Sequence, residues 1–160
     1  LRLKQRGAEF AIMLGQNELM NSRLSGSEEA LATIACEKIR RRKAPRFLIG
    51  GLGMGFTLRA ALAALGADAR IVVAELVPAV VTWARGPMAE VFGTSLTDPR
   101  VSIREADVGE VIRAGKGASH ACLAGGRNGA GGGPPDRVGV GVVGEAGAGV
   151  GVGRASAGGA

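Results

Sequence analysis

The sequence predicts an α/β domain built on an incomplete parallel sheet and preceded by a small N-terminal β-hairpin. Three observations predict it. Apolar runs at Phe47-Leu48-Ile49 and Ile71-Val72-Val73-Ala74, and an alternating run from Val101 to Glu105, each hand over to a segment of helical periodicity. Two strand-like segments separated by turn residues stand ahead of the first such unit. Glycine is also unevenly spread: 11 of the 28 lie in the first 114 residues and 17 in the last 46. Those last 46 contain one Leu, Leu123, and no Ile, Met, Phe, Trp or Tyr, so only the first part can bury a proper core.

The elements follow in order. Glu9 to Met13 is strand-like, Gly15-Gln16-Asn17 reads as a turn, and Glu18 to Ser22 returns as the second hairpin strand. Ser27 is placed to cap a helix from Glu28 to Arg42, with Glu28 and Glu29 in its first turn, where acids complement the macrodipole. Leu31, Ile34, Ala35 and Ile39 form its apolar stripe, and Pro45 stops it. Arg40-Arg41-Arg42-Lys43 then reads as a basic last turn facing the negative end of the dipole. A strand over Arg46 to Ile49 runs into Gly50-Gly51-Leu52-Gly53-Met54-Gly55. A helix from Phe56 to Leu65 follows through Leu58, Ala61, Leu62 and Leu65, with Gly66 at the C-cap position. Arg70 to Ala74 is a second strand, ended by Glu75. Pro78 opens a helix to Ala84, and Pro87 to Phe92 adds a turn or two. The third strand, Val101 to Glu105, leads through Asp107 to a short helix from Val108 to Arg113.

This pattern divides the chain into an N-terminal hairpin segment (1–26), an α/β domain (27–114) and a Gly/Ala-rich tail (115–160) expected to be largely disordered. Val138, Val140 and Val142 alternate with glycine and suggest a weak strand, opposed by the entropy glycine loses on ordering. Three parallel strands would leave an apolar sheet edge unpaired.

Composition excludes several classes. With 160 residues, 46% hydrophobic, the chain is neither wholly disordered nor a disulfide miniprotein. No apolar run approaches the roughly 18 residues of a membrane span, and the charged start lacks a secretory core, so a cytoplasmic protein without a membrane partner is expected. The absence of an initiator Met suggests a fragment or an alternative start codon. Cys36 and Cys122 have no CxxC spacing and His120 is the single histidine, so no metal site is expected. The net charge of +6 would suit a nucleic-acid patch at Arg40–Lys43, but only 3% of residues are aromatic and few could stack on bases, so a nucleic-acid partner is not expected.

Three features stand in the right order for nucleotide binding. Glycines between a strand and a helix bring backbone N–H groups and a positive helix end to a ligand. Glu75, twenty residues past Gly55, ends the next strand, where a carboxylate accepts from both ribose hydroxyls. Asp107 follows the third strand and is placed to reach a base edge. The loop lacks the dinucleotide spacing G-x-G-x-x-G, because Gly51-Leu52-Gly53 is followed by Met54 and then Gly55.

Gly51-x-Gly53-x-Gly55 is instead similar to motif I of class I methyltransferase-fold proteins, which bind S-adenosylmethionine. Phe47 to Gly55, Val73 to Val81 and Val101 to Asp107 together resemble the spermidine/spermine synthase family, and Leu19 to Glu29 is similar to its segment leading into the first helix. The resemblance spans roughly Phe10 to Ile112 and implies a Rossmann-like sheet behind an N-terminal hairpin. It implies that Gly51, Gly53 and Gly55 face the cofactor, in a cofactor-binding loop that begins at Gly50, with Glu75 at its ribose and Asp107 at its adenine. The implied co-substrate is S-adenosylmethionine or its decarboxylated form, without a metal, and the implied reaction is aminopropyl transfer to a polyamine. A homodimer is compatible with it.

The departures concern the amine half of the site. Val77 stands where relatives usually carry an acid, the chain has no Tyr, and no Gln or His lies near Glu29 to Ile34. Catalytic acids should follow a fourth strand, yet no carboxylate occurs between Ile112 and Asp136. Carboxylates are needed there to bind ammonium groups and take a proton from the attacking nitrogen. The expectation is therefore a spermidine-synthase-like protein impaired in transfer, its tail resembling a GC-rich frame read out of register. The alternatives are a methyltransferase, or a non-catalytic nucleoside binder.

Overall fold

The first strands form because Gly7 and Gly15, both at φ +61, reverse the chain twice. In the computed structural model, which describes residues 1–114, 120–124 and 139–143, β1 (Arg2–Arg6), β2 (Glu9–Leu14) and β3 (Asn17–Asn21) make an antiparallel sheet in that order. The expected hairpin thus has a further strand. β1 escaped the sequence reading because Leu3 is its one apolar residue; paired with Ile12, it packs on the core while its polar neighbours face out. Ile12 and Met13 are both buried although consecutive, which a register shift between them permits.

α1 spans Gly26–Glu37, with Glu28 and Glu29 in its first turn as expected. Its N-cap is Ser25 rather than Ser27, whose hydroxyl donates to Glu28 Oε2 at 2.7 Å. The helix stops before the predicted Arg42. Arg40 N–H still donates to Cys36 O at 2.8 Å, but the chain has already become a turn. Pro45 disfavours right-handed helical geometry at the preceding residue, and Ala44 sits at φ +48. The basic run therefore lies beyond the helix rather than in its last turn. The buried stripe is Ala32, Ala35, Cys36 and Ile39; Ile34 is 55% exposed, contrary to the sequence reading.

The main sheet combines β4 (Arg46–Gly50), β5 (Arg70–Glu75), β6 (Val101–Glu105), β7 (His120–Ala124) and β8 (Gly139–Val143) in the order β6-β5-β4-β7-β8. All neighbours are parallel except β7 and β8, which pair antiparallel. β7 corrects the expectation of an unpaired edge beside β4: Phe47 pairs with Ala121 and Gly50 with Ala124. Small residues and a single Leu gave this strand no visible periodicity. β8 forms where valine and glycine alternate. The rest of the tail expected to be disordered (115–119, 125–138, 144–160) lies outside the described residues.

The helices α2 (Phe56–Ala64), α3 (Pro78–Arg85), α4 (Ala89–Phe92) and α5 (Val108–Ala114) complete the fold. Strand alternation separates two faces. Phe47, Ile49, Ile71 and Val73 join α1 to α4 in the principal core, while Leu48, Val72 and Ala74 meet Val108, Val111 and Ile112 of α5 on the other side. Pro78 opens α3 as expected. Gly66 does not cap α2 in a left-handed conformation. Arg100 does that work from outside, its Nη1 donating to Leu65 O at 2.8 Å and Leu62 O at 3.1 Å.

Candidate functional site

The strand order reverses at β4: the chain passes from β4 to β5 and β6 on one side, then places β7 on the other. Open α/β sheets bind ligands outside the C-terminal ends of the strands at such a switch point. The glycine segment occupies that place here. Gly50 ends β4 and is buried; Gly51 continues the ladder by donating to Ala74 O at 2.7 Å. Leu52 and Met54 turn into the core at 5% and 0% exposure, whereas Gly51 and Gly53 remain half-exposed. Gly51, Gly53 and Gly55 lie at φ +95, +51 and +76.

At Gly55 the surroundings demand glycine as strongly as the backbone does, and at Gly53 a flexible side chain lies close. A Cβ on Gly53 would stand 2.7 Å from Met20 Sδ, so the thioether of β3 rests on the loop. A Cβ on Gly55 would overlap the Phe92 ring, 2.6 Å from Cδ1. Gly55 is also the N-cap of α2, whose first N–H groups have no intrahelical acceptor and carry the positive end of the dipole. Arg59 fixes that helix by donating to Val91 O at 2.7 Å while its guanidinium lies 5.1 Å from the Phe56 ring centre. Met20 and Phe92 were not visible as site residues. Their contacts with the loop span many residues and leave no local signature.

Glu75 ends β5 and is only 7% exposed. Its Oε2 accepts from Leu52 N–H at 2.7 Å and its Oε1 from Val77 N–H at 2.8 Å. A carboxylate oxygen has two lone pairs, so each keeps one acceptor site after these bonds. Two backbone donors, and no cation among the described residues, hold the buried carboxylate. Exposed Leu76 lies directly beside it.

Asp107 lies two residues beyond β6 and is exposed. Its Oδ1 accepts from Gly109 N–H at 2.8 Å and Glu110 N–H at 3.2 Å, an N-cap for α5. Oδ2 has no hydrogen-bond partner among the described residues. Glu75 and Glu105 are register partners on β5 and β6, so Glu75 and Asp107 stand at the same sheet edge as the glycine loop. All six predicted residues are therefore brought to one end of the sheet. No group of His, Cys, Asp and Glu suited to a metal occurs among the described residues, and no helix there is long and apolar enough to cross a membrane.

The chain is similar in structure to a spermidine synthase from Thermotoga maritima, 17% identical with a TM-score of 0.59, over 78% of this chain and 55% of that one. A spermidine synthase in complex with the transition state analogue AdoDATO matches with the same identity, TM-score and coverage. A probable spermidine synthase from Corynebacterium glutamicum ATCC 13032 is 18% identical with a TM-score of 0.47, over 76% of this chain and 47% of that one. No family model and no curated protein matches the chain. The likeness is one of fold, the Rossmann-like class I methyltransferase type, and the chain spans about half the length of the solved structures it matches.

Proposed function

We propose that the crevice over Gly51, Gly53 and Glu75 binds the nucleoside of S-adenosylmethionine or decarboxylated S-adenosylmethionine. The observation that carries this reading is the bond between Leu52 N–H and Glu75 Oε2, which joins the glycine loop to a buried acceptor at the switch point. The residues suit the group. Glu75 keeps a lone pair on each oxygen for a ribose diol, the glycines leave backbone uncovered beside it, and Asp107 Oδ2 offers an acceptor to an exocyclic amine. Gly50 and Gly55 shape the loop from its two ends.

The reaction that fits this cofactor, with the fold and the sequence resemblance, is aminopropyl transfer to a polyamine. In it a C–S bond of the sulfonium breaks, a C–N bond forms and the amine gives up a proton. The residues that follow β7 are Gly125-Gly126-Arg127-Asn128, which supply no carboxylate for that proton or for the acceptor's ammonium groups. This favours a chain that holds the nucleoside with transfer impaired. A methyltransferase would use the same nucleoside with a different acceptor.

Calorimetric titration with S-adenosylmethionine, its decarboxylated form and the methylthioadenosine product tests the reading, followed by a product assay with a diamine. Saturable binding with little or no turnover is expected. Failure of all three nucleosides to bind would remove the proposal, and rapid aminopropyl transfer would remove the impairment.

A further inference from the structure

At the opposite end of the sheet from the glycine loop lies a second concave region. A cavity of about 560 Å³ is lined by Ala44, Arg46, Arg70, Arg100, Val101 and Ser102, among others, at the N-terminal ends of β4, β5 and β6. Arg46 and Arg70 begin neighbouring parallel strands and are register partners, and both are exposed. Like charges set side by side across a sheet repel and destabilise it. Neither side chain has an ion-pair or hydrogen-bond partner among the described residues.

Arg40, Arg41, Arg42 and Lys43 immediately precede Ala44 of the cavity wall in the chain. All four are exposed and lie beyond the end of α1 at Glu37. Ala44 joins the run to the cavity wall in a left-handed conformation, φ +48, which costs a non-glycine residue energy and is held from outside. Asp68 Oδ2 holds it, accepting from Ala44 N–H at 2.7 Å. The other acid close by, Asp98, is paired with Arg100 at 2.8 Å. Asp98 is thus neutralised by its arginine, while Asp68 is turned towards the backbone of Ala44.

We infer that Arg40 to Lys43, with Arg46 and Arg70, form a binding surface for the phosphate backbone of duplex nucleic acid. Six exposed cations, two of them lining the cavity and four consecutive in the chain just before its Ala44 wall, exceed what a single phosphate balances and call for a ligand with repeating phosphates. No aromatic residue lines the cavity, so the scarcity of aromatics that argues against a nucleic-acid partner in the sequence bears only on base stacking, and the contact is with the duplex backbone, without sequence preference. Single strands, whose binding relies on stacking, are the poorer ligand. The surface is independent of the nucleoside crevice, since the two lie at opposite ends of the strands.

Fluorescence anisotropy of the full chain with labelled mixed-sequence DNA and RNA duplexes tests the assignment. Affinity should fall by about a thousandfold between about 50 and about 200 mM salt if six phosphates are contacted. Arg46→Gln with Arg70→Gln should lower the slope of log affinity against log salt by about 2, and neutralising Arg40 to Lys43 by about 4. The control variant replaces Arg2, Lys4 and Arg6 of β1 by Gln and should bind as the unaltered chain does. Preference for one duplex would identify the source of the phosphates. Absence of duplex binding at low salt, or losses in the β1 variant equal to those at the cavity, would overturn the proposal. Since all substituted side chains are exposed, circular dichroism should show every variant folded, and added S-adenosylmethionine should not displace the duplex.

Discussion

Leu52 N–H donates to Glu75 Oε2 at 2.7 Å and thereby ties the loop after β4 to the end of β5. The partner oxygen is held by Val77 N–H, so one carboxylate fixes both the glycine segment and the entry to α3. Glu75→Gln turns one acceptor into a donor facing an N–H group. Leaving a buried backbone donor unpaired costs about 1–3 kcal/mol. Denaturant unfolding should report that loss, and nucleoside affinity should fall with it. Glu75→Asp, shorter by one methylene, should recover neither.

Gly55 and Phe92 form a second coupled pair. Gly55→Ala must place a Cβ against the edge of the Phe92 ring, 2.6 Å from Cδ1, and hold a left-handed φ, the latter alone costing about 1–2 kcal/mol. The total loss should exceed that of Gly66→Ala, where the nearest neighbour is Asp68 Oδ1 at 3.2 Å and the backbone is not left-handed. Phe92→Leu in the Gly55→Ala background should return part of the stability. Strict additivity of the two changes in a double-mutant cycle would show that the ring is not what excludes the methyl group.

Much of this site was legible because its signals are local. Phe47 to Gly55 reads as strand, loop and helix start in nine consecutive residues, and Glu75 and Asp107 follow strands with clear apolar patterns. What escaped depends on distant partners. The ring of Phe92 and the thioether of Met20 meet the loop only in three dimensions, and Arg100 supplies the donors expected of a C-cap at Gly66. Ile34 and Ile39 show the same limit along one apolar stripe, Ile34 inside α1 and Ile39 in the turn beyond it. Both fit the apolar period, but only Ile39 finds a core to enter. β7 carries too little apolar bulk in His-Ala-Cys-Leu-Ala to announce a strand next to β4.

Asp98 and Arg100 set an acid dependence. Hydrogen bonds from Arg100 to the Asp98 carboxylate, with its backbone N–H also donating, hold Asp98 down to about 2 from its ordinary 3.8. A carboxylate depressed in the folded state contributes stability above its unfolded value, and loses that contribution as pH falls through the folded one. The difference in stability between the unaltered chain and Asp98→Asn should therefore be constant above about pH 5 and shrink from pH 4 towards pH 2. Arg100→Met should cost more than Asp98→Asn, because the carbonyls of Leu62 and Leu65 lose their donor as well. Thermal melts across this range measure both.

Cys36 should behave as an inert core thiol. Burial against α1's neighbours leaves it 0% exposed and pushes its ionisation up to about 11 from 9.0, so at neutral pH almost no thiolate forms. The sign is opposite to that of Asp98. A thiol raised in the folded state holds its proton more tightly than the unfolded chain does, so stability declines as pH rises from about 9 towards about 11. In a Cys122→Ser background, a thiol reagent should modify Cys36 only as fast as the chain opens, and mild denaturant should accelerate the reaction in step with unfolding. Cys36→Ala should leave a small cavity and remove this thiol's share of the alkaline decline. Rapid labelling of the folded chain at neutral pH would show that α1 does not close over this side of the core.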